Sequence, residues 1–147
     1  MIRKAIPNDI FHMVRLEKSA FKTTLGEKFL LQELNDNPFS FYYVYELNKT
    51  VIGYIGFRVY DDQAEMMNFV VSLDHQDEGY GTQLLTYCLN ELEKKHVKTI
   101  SLEVRKSNQK AQHVYNKMGF KLSHIRKKYY ENEDGYVLVK EVSMWTY

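Results

Sequence analysis

An amphipathic stretch near the middle of the chain, residues 82–95, constrains the fold most strongly. Its apolar residues recur at helical spacing and form one stripe, which must be buried against another element. The runs on either side, residues 67–71 and 99–104, have the composition of strands. A strand, a glycine-containing loop, a helix and a second strand in this order indicate a helix packed on a sheet. The stripe consists of Leu84, Leu85, Cys88, Leu89 and Leu92.

The rest of the chain extends this pattern on both sides. Further helices are predicted at residues 10–21, 26–34 and 108–118, and further strands at 41–47, 51–59, 64–71, 121–125 and 136–142. Short links predict an antiparallel meander for the three middle strands, and a polar loop is predicted between the last two. We therefore expect an α/β (α+β) fold with a mixed sheet flanked by helices. No linker or repeat divides the chain, which predicts a single domain over residues 1–147.

Charge and composition exclude several classes of partner. Twenty Lys and Arg residues oppose 19 Asp and Glu residues, so the net charge does not draw the whole chain toward DNA or a membrane. No apolar run approaches the ~20 residues of a membrane span. Cys88 is the single cysteine, and the five histidines are scattered, so neither a disulfide nor a metal site is supported. We expect a cytoplasmic protein without a metal.

The loop before the central helix, residues 76–81, has the features of an anion site. It reads Gln-Asp-Glu-Gly-Tyr-Gly, and Gly79 and Gly81 allow a ligand to approach the backbone closely. The first turn of a helix also carries N–H groups without an intrahelical partner, which favours phosphate. The loop fits neither GxGxxG nor a Walker loop. By itself the glycine pair is equally compatible with a plain turn.

The spacing of this loop resembles the Gln/Arg-x-x-Gly-x-Gly/Ala motif of the GCN5-related N-acetyltransferases (GNAT family), whose loop cradles the diphosphate of coenzyme A. Other segments resemble, in order and spacing, the RimI-like branch of that family, which acetylates the N-terminal alanine of ribosomal protein S18. The resemblance is close over roughly residues 64–142. It rests on Asn68-Phe69-Val70-Val71, Leu84-Leu85, Leu102-Glu103-Val104-Arg105, Asn108, Tyr115, Gly119-Phe120 and Tyr129-Tyr130.

The resemblance implies a GNAT fold, in which a mostly antiparallel sheet contains a splayed strand pair. It also implies direct acetyl transfer from acetyl-CoA to a protein N-terminal α-amine. Tyr129 and Tyr130 would line the acceptor entrance, although ordinary packing in the polar loop is equally compatible with them. The residues that the resemblance assigns to acetyl-CoA are Phe69, Val70, Val71, Gln76, Asp77, Glu78, Gly79, Tyr80, Gly81, Thr82 and Asn108.

Each of three polar residues can be interpreted in two ways. From the residues alone, Glu103 is a surface carboxylate paired with Arg105 or a lysine, Tyr115 is a core aromatic residue, and Asn108 is a helix N-cap. The resemblance instead implies that Glu103 is the general base and Tyr115 the general acid, with Asn108 at the cofactor. Cys88 lies on the apolar stripe, so we expect a core residue and no covalent acyl-enzyme.

Other acceptors and another class of function remain compatible with the sequence. The acceptor could be a small amine or a lysine, and the chain could be a non-catalytic module that binds acyl-CoA or RNA. Asp77 and Glu78 replace the basic residues usual in the family, and carboxylates beside a diphosphate weaken binding unless they face water. A run of eight basic residues without an acid, residues 105–128, could meet the adenosine phosphate or the ribosome.

Overall fold

The computed structural model describes residues 1–21, 23–130 and 132–142. Within these residues, seven strands and four α-helices are joined by short connections, two of which contain a 3₁₀ turn. The strands are β1 (Ile2–Lys4), β2 (Ser40–Leu47), β3 (Thr50–Tyr60), β4 (Gln63–Val71), β5 (Thr99–Arg105), β6 (Lys121–Tyr130) and β7 (Glu133–Glu141). The helices are α1 (Ile10–Ala20), α2 (Glu27–Asp36), α3 (Tyr80–Lys94) and α4 (Gln109–Lys117).

All seven strands form one sheet in the order β1-β2-β3-β4-β5-β7-β6. Neighbouring strands are antiparallel throughout, except that β4 and β5 are parallel. The parallel pair requires a crossover, which α3 supplies, as expected for a helix between two parallel strands. The predicted mixed, mostly antiparallel sheet flanked by helices is confirmed.

Two cores lie on the two faces of this sheet. On one face, the stripe of α3 packs with α4 against alternating residues of β5. On the other face, α1 and α2 pack against β2, β3 and β4. Most of the α3 stripe is buried as predicted, with Leu84, Leu85 and Cys88 fully inaccessible and Leu92 nearly so, whereas Leu89 is half-buried. The helices thus fix the sheet from both sides and leave its strand ends available for a site.

Two strand predictions differ from the structure. β1 was not predicted, because it has only three residues, two of them charged, and it gains its hydrogen bonds from β2. The polar loop predicted between the last two strands is wrong, since β6 extends to Tyr130 and β7 begins at Glu133. β6 is an edge strand whose residues 121–129 are all exposed. Polar and charged residues are tolerated at such an edge, so polarity did not mark the end of the strand.

None of the described helices is long and apolar enough to cross a membrane.

Candidate active site

The site begins where β4 and β5 separate. Their parallel register runs only from Gln63 opposite Thr99 to Glu65 opposite Ser101. Beyond this point β4 continues alongside β3 as far as Val71, and β5 continues alongside β7 as far as Arg105. The two strands therefore diverge into a V-shaped opening at their carboxyl ends. This divergence confirms the predicted splayed strand pair.

The backbone of β4 presents alternate residues to this opening. The Ser72 N–H donates to the Ile52 carbonyl of β3 (2.7 Å), so the two-residue period of an antiparallel ladder also turns the backbone of Val70 toward β3. Phe69 and Val71 consequently turn their backbone groups toward the opening. The Val70 backbone instead pairs with β3, and its predicted contact with acetyl-CoA stays a prediction.

Two of the groups that face the opening already have partners within the chain. The Phe69 N–H donates to Oδ1 of Asn68 (3.1 Å), and the Val71 carbonyl accepts from Nε2 of Gln76 (3.2 Å). Gln76 thereby holds the loop against the end of β4. The Phe69 carbonyl and the Val71 N–H face the opening as well, and no described side chain bonds to either, so both are available to an extended ligand.

The glycine loop places a second set of backbone donors beside the opening. Gly79 is the N-cap of α3 and has a left-handed backbone (φ 88°), and none of the described side chains caps the helix. The first intrahelical bond runs from the Gln83 N–H to the Gly79 carbonyl (3.0 Å). The N–H groups of the preceding turn, at residues 80–82, therefore have no partner within the helix. A Cβ on Gly81 would lie 3.4 Å from Cγ2 of Val71, so this helix end packs directly on β4.

The two acidic residues of the loop point to water. The Asp77 side chain is 77% exposed and lies 3.0 Å from Nζ of Lys110, and Glu78 is exposed. Lys110, on α4, also donates to Oε1 of Gln76 (3.3 Å). Its cation offsets the Asp77 charge at the edge of the loop. Lys110 was not singled out from the sequence, because only the fold brings α4 beside a loop more than thirty residues earlier.

Asn108 is the N-cap of α4, as predicted, and its Oδ1 accepts a hydrogen bond from the Ala111 N–H (3.1 Å). The prediction that it also contacts the cofactor stays a prediction. The helix ends at Lys117 with Met118 as its C-cap, and Gly119 follows with a left-handed backbone (φ 94°). These two ends fix α4 so that Lys110 reaches the glycine loop and Tyr115 points into the core.

Glu103 lies on β5 beyond the point of divergence, and its side chain is 24% exposed. Its Oε1 accepts a hydrogen bond from Nη1 of Arg126, on β6. Its Oε2 is buried and accepts no hydrogen bond from any residue that the structure describes. The predicted pairing with Arg105 or a lysine was wrong, because Arg105 turns to Glu133 instead (3.7 Å). A buried carboxylate oxygen without a donor is suited to accept a proton from a ligand.

Tyr115 lies in the core, and its side chain is 7% exposed. Its ring centroid is 6.3 Å from that of Phe69, and its hydroxyl donates to Sδ of Met66 (3.6 Å). Met66 directly follows the last β4 residue that pairs with β5. The Tyr115 hydroxyl, which donates to Met66, therefore lies at the base of the opening. Burial raises the pKa of Tyr115, and nearby Tyr130 raises it further. The phenol is therefore protonated at neutral pH.

Tyr129 and Tyr130 end β6 instead of lying in a loop. The register of β6 with β7 shifts between Arg126 and Tyr130, and both tyrosines lie against Gly135 of β7. The Tyr129 and Tyr130 centroids are 5.1 Å apart, and Tyr129 is exposed whereas Tyr130 is half-buried. Burial raises the pKa of Tyr130, and the charge of Glu103 raises it further. Tyr130 in turn raises the pKa of Tyr115, so its phenol interacts electrostatically with both predicted catalytic residues.

A buried polar network on the opposite side of β4 was missed from the sequence. Oε2 of Glu17 accepts hydrogen bonds from the Leu25 N–H (2.7 Å) and from Nδ2 of Asn68 (3.2 Å). Asn68 also donates to the Tyr54 hydroxyl (2.7 Å). The network ties the connection between α1 and α2 to the splayed strand. Glu17 continues the helical period of its apolar neighbours, but a glutamate in the sequence does not by itself indicate a buried carboxylate. Its burial is therefore seen only in the fold.

Cys88 is fully buried in the core between α3 and the sheet, as predicted. Burial raises the pKa of its thiol, which keeps it protonated and unreactive. Among the described residues, no three His, Cys, Asp or Glu side chains come together in a metal-binding arrangement.

Comparison with known proteins places this geometry among acetyltransferases. The model of the "Acetyltransferase (GNAT) family" matches residues 8–120. The [ribosomal protein bS18]-alanine N-acetyltransferase of Escherichia coli K12 is 32% identical over 84% of this chain and 76% of its own.

Two solved structures extend the comparison. The crystal structure of the ribosomal-protein-S18-alanine N-acetyltransferase from E. coli superposes with a TM-score of 0.91 at 28% identity, over 98% of this chain and 94% of its own. A GNAT family acetyltransferase from Elizabethkingia anophelis, solved with acetyl-CoA bound, has a TM-score of 0.74 at 22% identity, over 97% of each chain.

Proposed function

The chain belongs to the acetyltransferase (GNAT) family and is an N-acetyltransferase, and we propose that it transfers the acetyl group of acetyl-CoA to the N-terminal α-amine of a protein. The observation that carries the proposal is the divergence of β4 and β5, with free backbone donors on one side and the Glu103 carboxylate on the other. The acceptor we propose is the N-terminal alanine of ribosomal protein S18, because that activity is named for the E. coli relative.

The backbone groups around the opening fit acetyl-CoA. The N–H groups of residues 80–82 would hold its diphosphate at the α3 N-terminus, with Gln76, Asp77, Glu78 and Gly79 forming the loop around it. The Phe69 carbonyl and the Val71 N–H would pair with its pantetheine arm, and Asn108 would contact it from α4. Acetyl-CoA supplies the acetyl group as a thioester, so a nitrogen–carbon bond forms while the carbon–sulfur bond breaks.

Glu103 would take the proton that the amine loses. An α-amine has a pKa of ~8, against ~10.4 for a lysine side chain, so at pH 7 roughly a tenth of the former but under a thousandth of the latter is neutral. A carboxylate with one buried oxygen free is therefore sufficient as a base for an α-amine. Tyr129 and Tyr130 would line the path by which the peptide N-terminus reaches Glu103.

Tyr115 would give a proton to the departing sulfur. Its raised pKa keeps the phenol protonated at neutral pH, and its hydroxyl lies at the base of the opening beside Sδ of Met66. A thiolate excluded from water is a stronger base than one in solution, which favours the transfer. The two protons balance, since one leaves the amine to Glu103 and one leaves Tyr115 to the sulfur.

A peptide with the N-terminal sequence of ribosomal protein S18 tests the proposal. Incubated with acetyl-CoA and the protein, the peptide should gain one acetyl group on its α-nitrogen, located by fragmentation mass spectrometry. Glu103→Gln should bind acetyl-CoA as the original protein does but slow turnover about 10²-fold or more. Glu141→Gln is the matched control, because this exposed glutamate lies at the opposite end of the β5–β7 pair.

Two results would contradict the proposal. Failure of the protein to acetylate the peptide at millimolar acetyl-CoA would remove the acceptor assignment. Turnover by Glu103→Gln equal to that by Glu141→Gln would remove Glu103 from the role of base.

A further inference from the structure

The acceptor side of the opening is the face of the sheet that carries α1 and α2. Glu103 lies between Leu102 and Val104 on β5, and both of these are buried in the core beneath α3 and α4. Because successive side chains of a strand point to opposite faces, Glu103 points to the other face. Asn68 on β4 points to that same face, since its amide contacts Glu17 of α1. Glu103 and Asn68 thus flank the divergence on one face, and an amine that approaches Glu103 from this face enters beside Asn68.

One residue, Glu17, holds both ends of the α1–α2 connection (residues 21 and 23–26). Its main-chain carbonyl accepts a hydrogen bond from the Phe21 N–H (2.8 Å), where the connection begins. Its Oε2 accepts a hydrogen bond from the Leu25 N–H (2.7 Å), near the end of the connection. The same oxygen accepts a hydrogen bond from Nδ2 of Asn68 (3.2 Å). A single carboxylate oxygen therefore fixes the connection against β4 at the edge of the opening.

The Glu17 carboxylate occupies a position where packing alone would favour an apolar side chain. The residue is fully buried, and its Oε1 accepts no hydrogen bond from the described part of the chain. Burial raises the pKa of Glu17, because the charged form loses its contact with water. A buried carboxylate without its full set of donors lowers stability, and an apolar residue of similar volume is often no less stable. The carboxylate is therefore better explained by the groups that it holds in place than by the packing of the core.

We propose that Glu17 is a positioning residue for the acceptor, because it holds the α1–α2 connection as the wall of the acceptor path across the opening from Tyr129 and Tyr130. The N–H groups of residues 80–82, which fit the diphosphate of acetyl-CoA, belong to α3 on the other face of the sheet. Loss of the Glu17 contacts should therefore weaken the binding of the acceptor and leave that of acetyl-CoA unchanged. This inference rests on the proposed function, in which Glu103 faces the acceptor amine.

Three variants test this role with the S18 peptide as the acceptor. Glu17→Met has a side chain of similar size but only a weak hydrogen-bond acceptor, and it should raise the peptide KM about tenfold, since hydrogen bonds to a charged group are lost. Its Kd for acetyl-CoA, measured by calorimetry, and its kcat at saturating peptide should stay within about twofold of the original. Glu17→Gln should restore most of the KM, because its amide oxygen can take the place of Oε2. Asn68→Ala severs the link to β4 alone and should also raise the peptide KM.

Glu33→Met is the matched control. Glu33 is a buried glutamate on α2, but it accepts hydrogen bonds from Tyr42 and Arg58 and does not bond to the connection. Its replacement disturbs the same pair of helices, so it should lower Tm and leave the peptide KM within about twofold of the original.

The outcomes separate this inference from the proposed function. A peptide KM in Asn68→Ala within about twofold of the original would overturn the inference, whether or not Glu17→Met folds. So would a rise in KM in Glu33→Met as large as in Glu17→Met, or a Kd for acetyl-CoA that rises together with the peptide KM, because either result indicates a general effect on the fold. If the original protein acetylates the peptide, these failures leave the proposed function standing. If it does not, the proposed function and the inference fall together.

Discussion

Replacing Tyr115 by phenylalanine separates the chemistry of its hydroxyl from the packing of its ring. The ring contacts Phe69 and Phe120, at centroid distances of 6.3 and 5.8 Å, and phenylalanine preserves both contacts. The hydroxyl donates to Sδ of Met66 at 3.6 Å. Sulfur is a weak acceptor, so this bond contributes at the low end of the ~0.5–1.5 kcal/mol of an ordinary protein hydrogen bond.

Tyr115→Phe should therefore change the free energy of unfolding by less than about 1 kcal/mol, which for a chain of this size shifts Tm by no more than about 4 °C. Turnover should fall by about 10²–10⁴-fold, because the departing sulfur loses its proton donor. Thermal unfolding and steady-state kinetics with acetyl-CoA and the S18 peptide measure the two quantities on the same preparation.

Tyr43→Phe is the matched control. Tyr43 is buried in the same core cluster as Tyr115 but lies on β2, so its loss should leave kcat near that of the original protein. A Tyr115→Phe variant that folds normally and keeps kcat within about threefold of the original would refute the assignment of the acid and leave Tyr115 a core residue.

Three further predictions concern the loop, the core and the pH dependence of stability. Lys110→Ala should raise the Kd for acetyl-CoA about three- to tenfold by calorimetry, since the Asp77 charge is then unopposed. Lys117→Ala, on the same helix, is the control. A Kd for Lys110→Ala equal to that of the control would show that Lys110 does not contribute to the site. Gly56→Ala should lower the free energy of unfolding in urea by about 3 kcal/mol, because the new Cβ would lie 2.1 Å from the Tyr42 ring; a loss below about 1 kcal/mol would show that β2 and β3 are not packed as closely as described. Burial raises the pKa of Tyr43 to about 12, whereas an unfolded tyrosine titrates near pH 10. Its contribution is therefore fully present below pH ~10 and is lost as the pH rises toward ~12, so Tyr43→Phe should reduce the slope of stability against pH in that window; an unchanged slope would contradict the burial of this phenol.

Most of the fold could be predicted from hydrophobic period and turn chemistry. The α3 stripe, the meander of β2 to β4 and the Asn108 cap are local patterns, and the structure confirms them. The failures lie where tertiary pairing overrides composition. β1 is too short to show a period, and β6 continues through Lys127 and Lys128 because an edge strand tolerates charge on its exposed residues.

The site could be predicted only in part, for a related reason. The glycine loop and Glu103 are singled out by local spacing and by the family resemblance. The partners of these residues come from distant segments. Arg126 reaches Glu103 across β7, Lys110 reaches Asp77 from α4, and such contacts depend on register that no local pattern encodes.

The most direct test of the central claim is amide NMR of the nitrogen-labelled protein titrated with acetyl-CoA. The claim is that backbone N–H groups at the junction of β4 and α3 hold the diphosphate while the thioester lies in the opening beside Glu103. We predict that the largest shift changes fall on residues 80–82 and on Val71, and that adenosine, which lacks the diphosphate, does not reproduce them. Changes confined to other surfaces, or none at millimolar acetyl-CoA, would contradict the account.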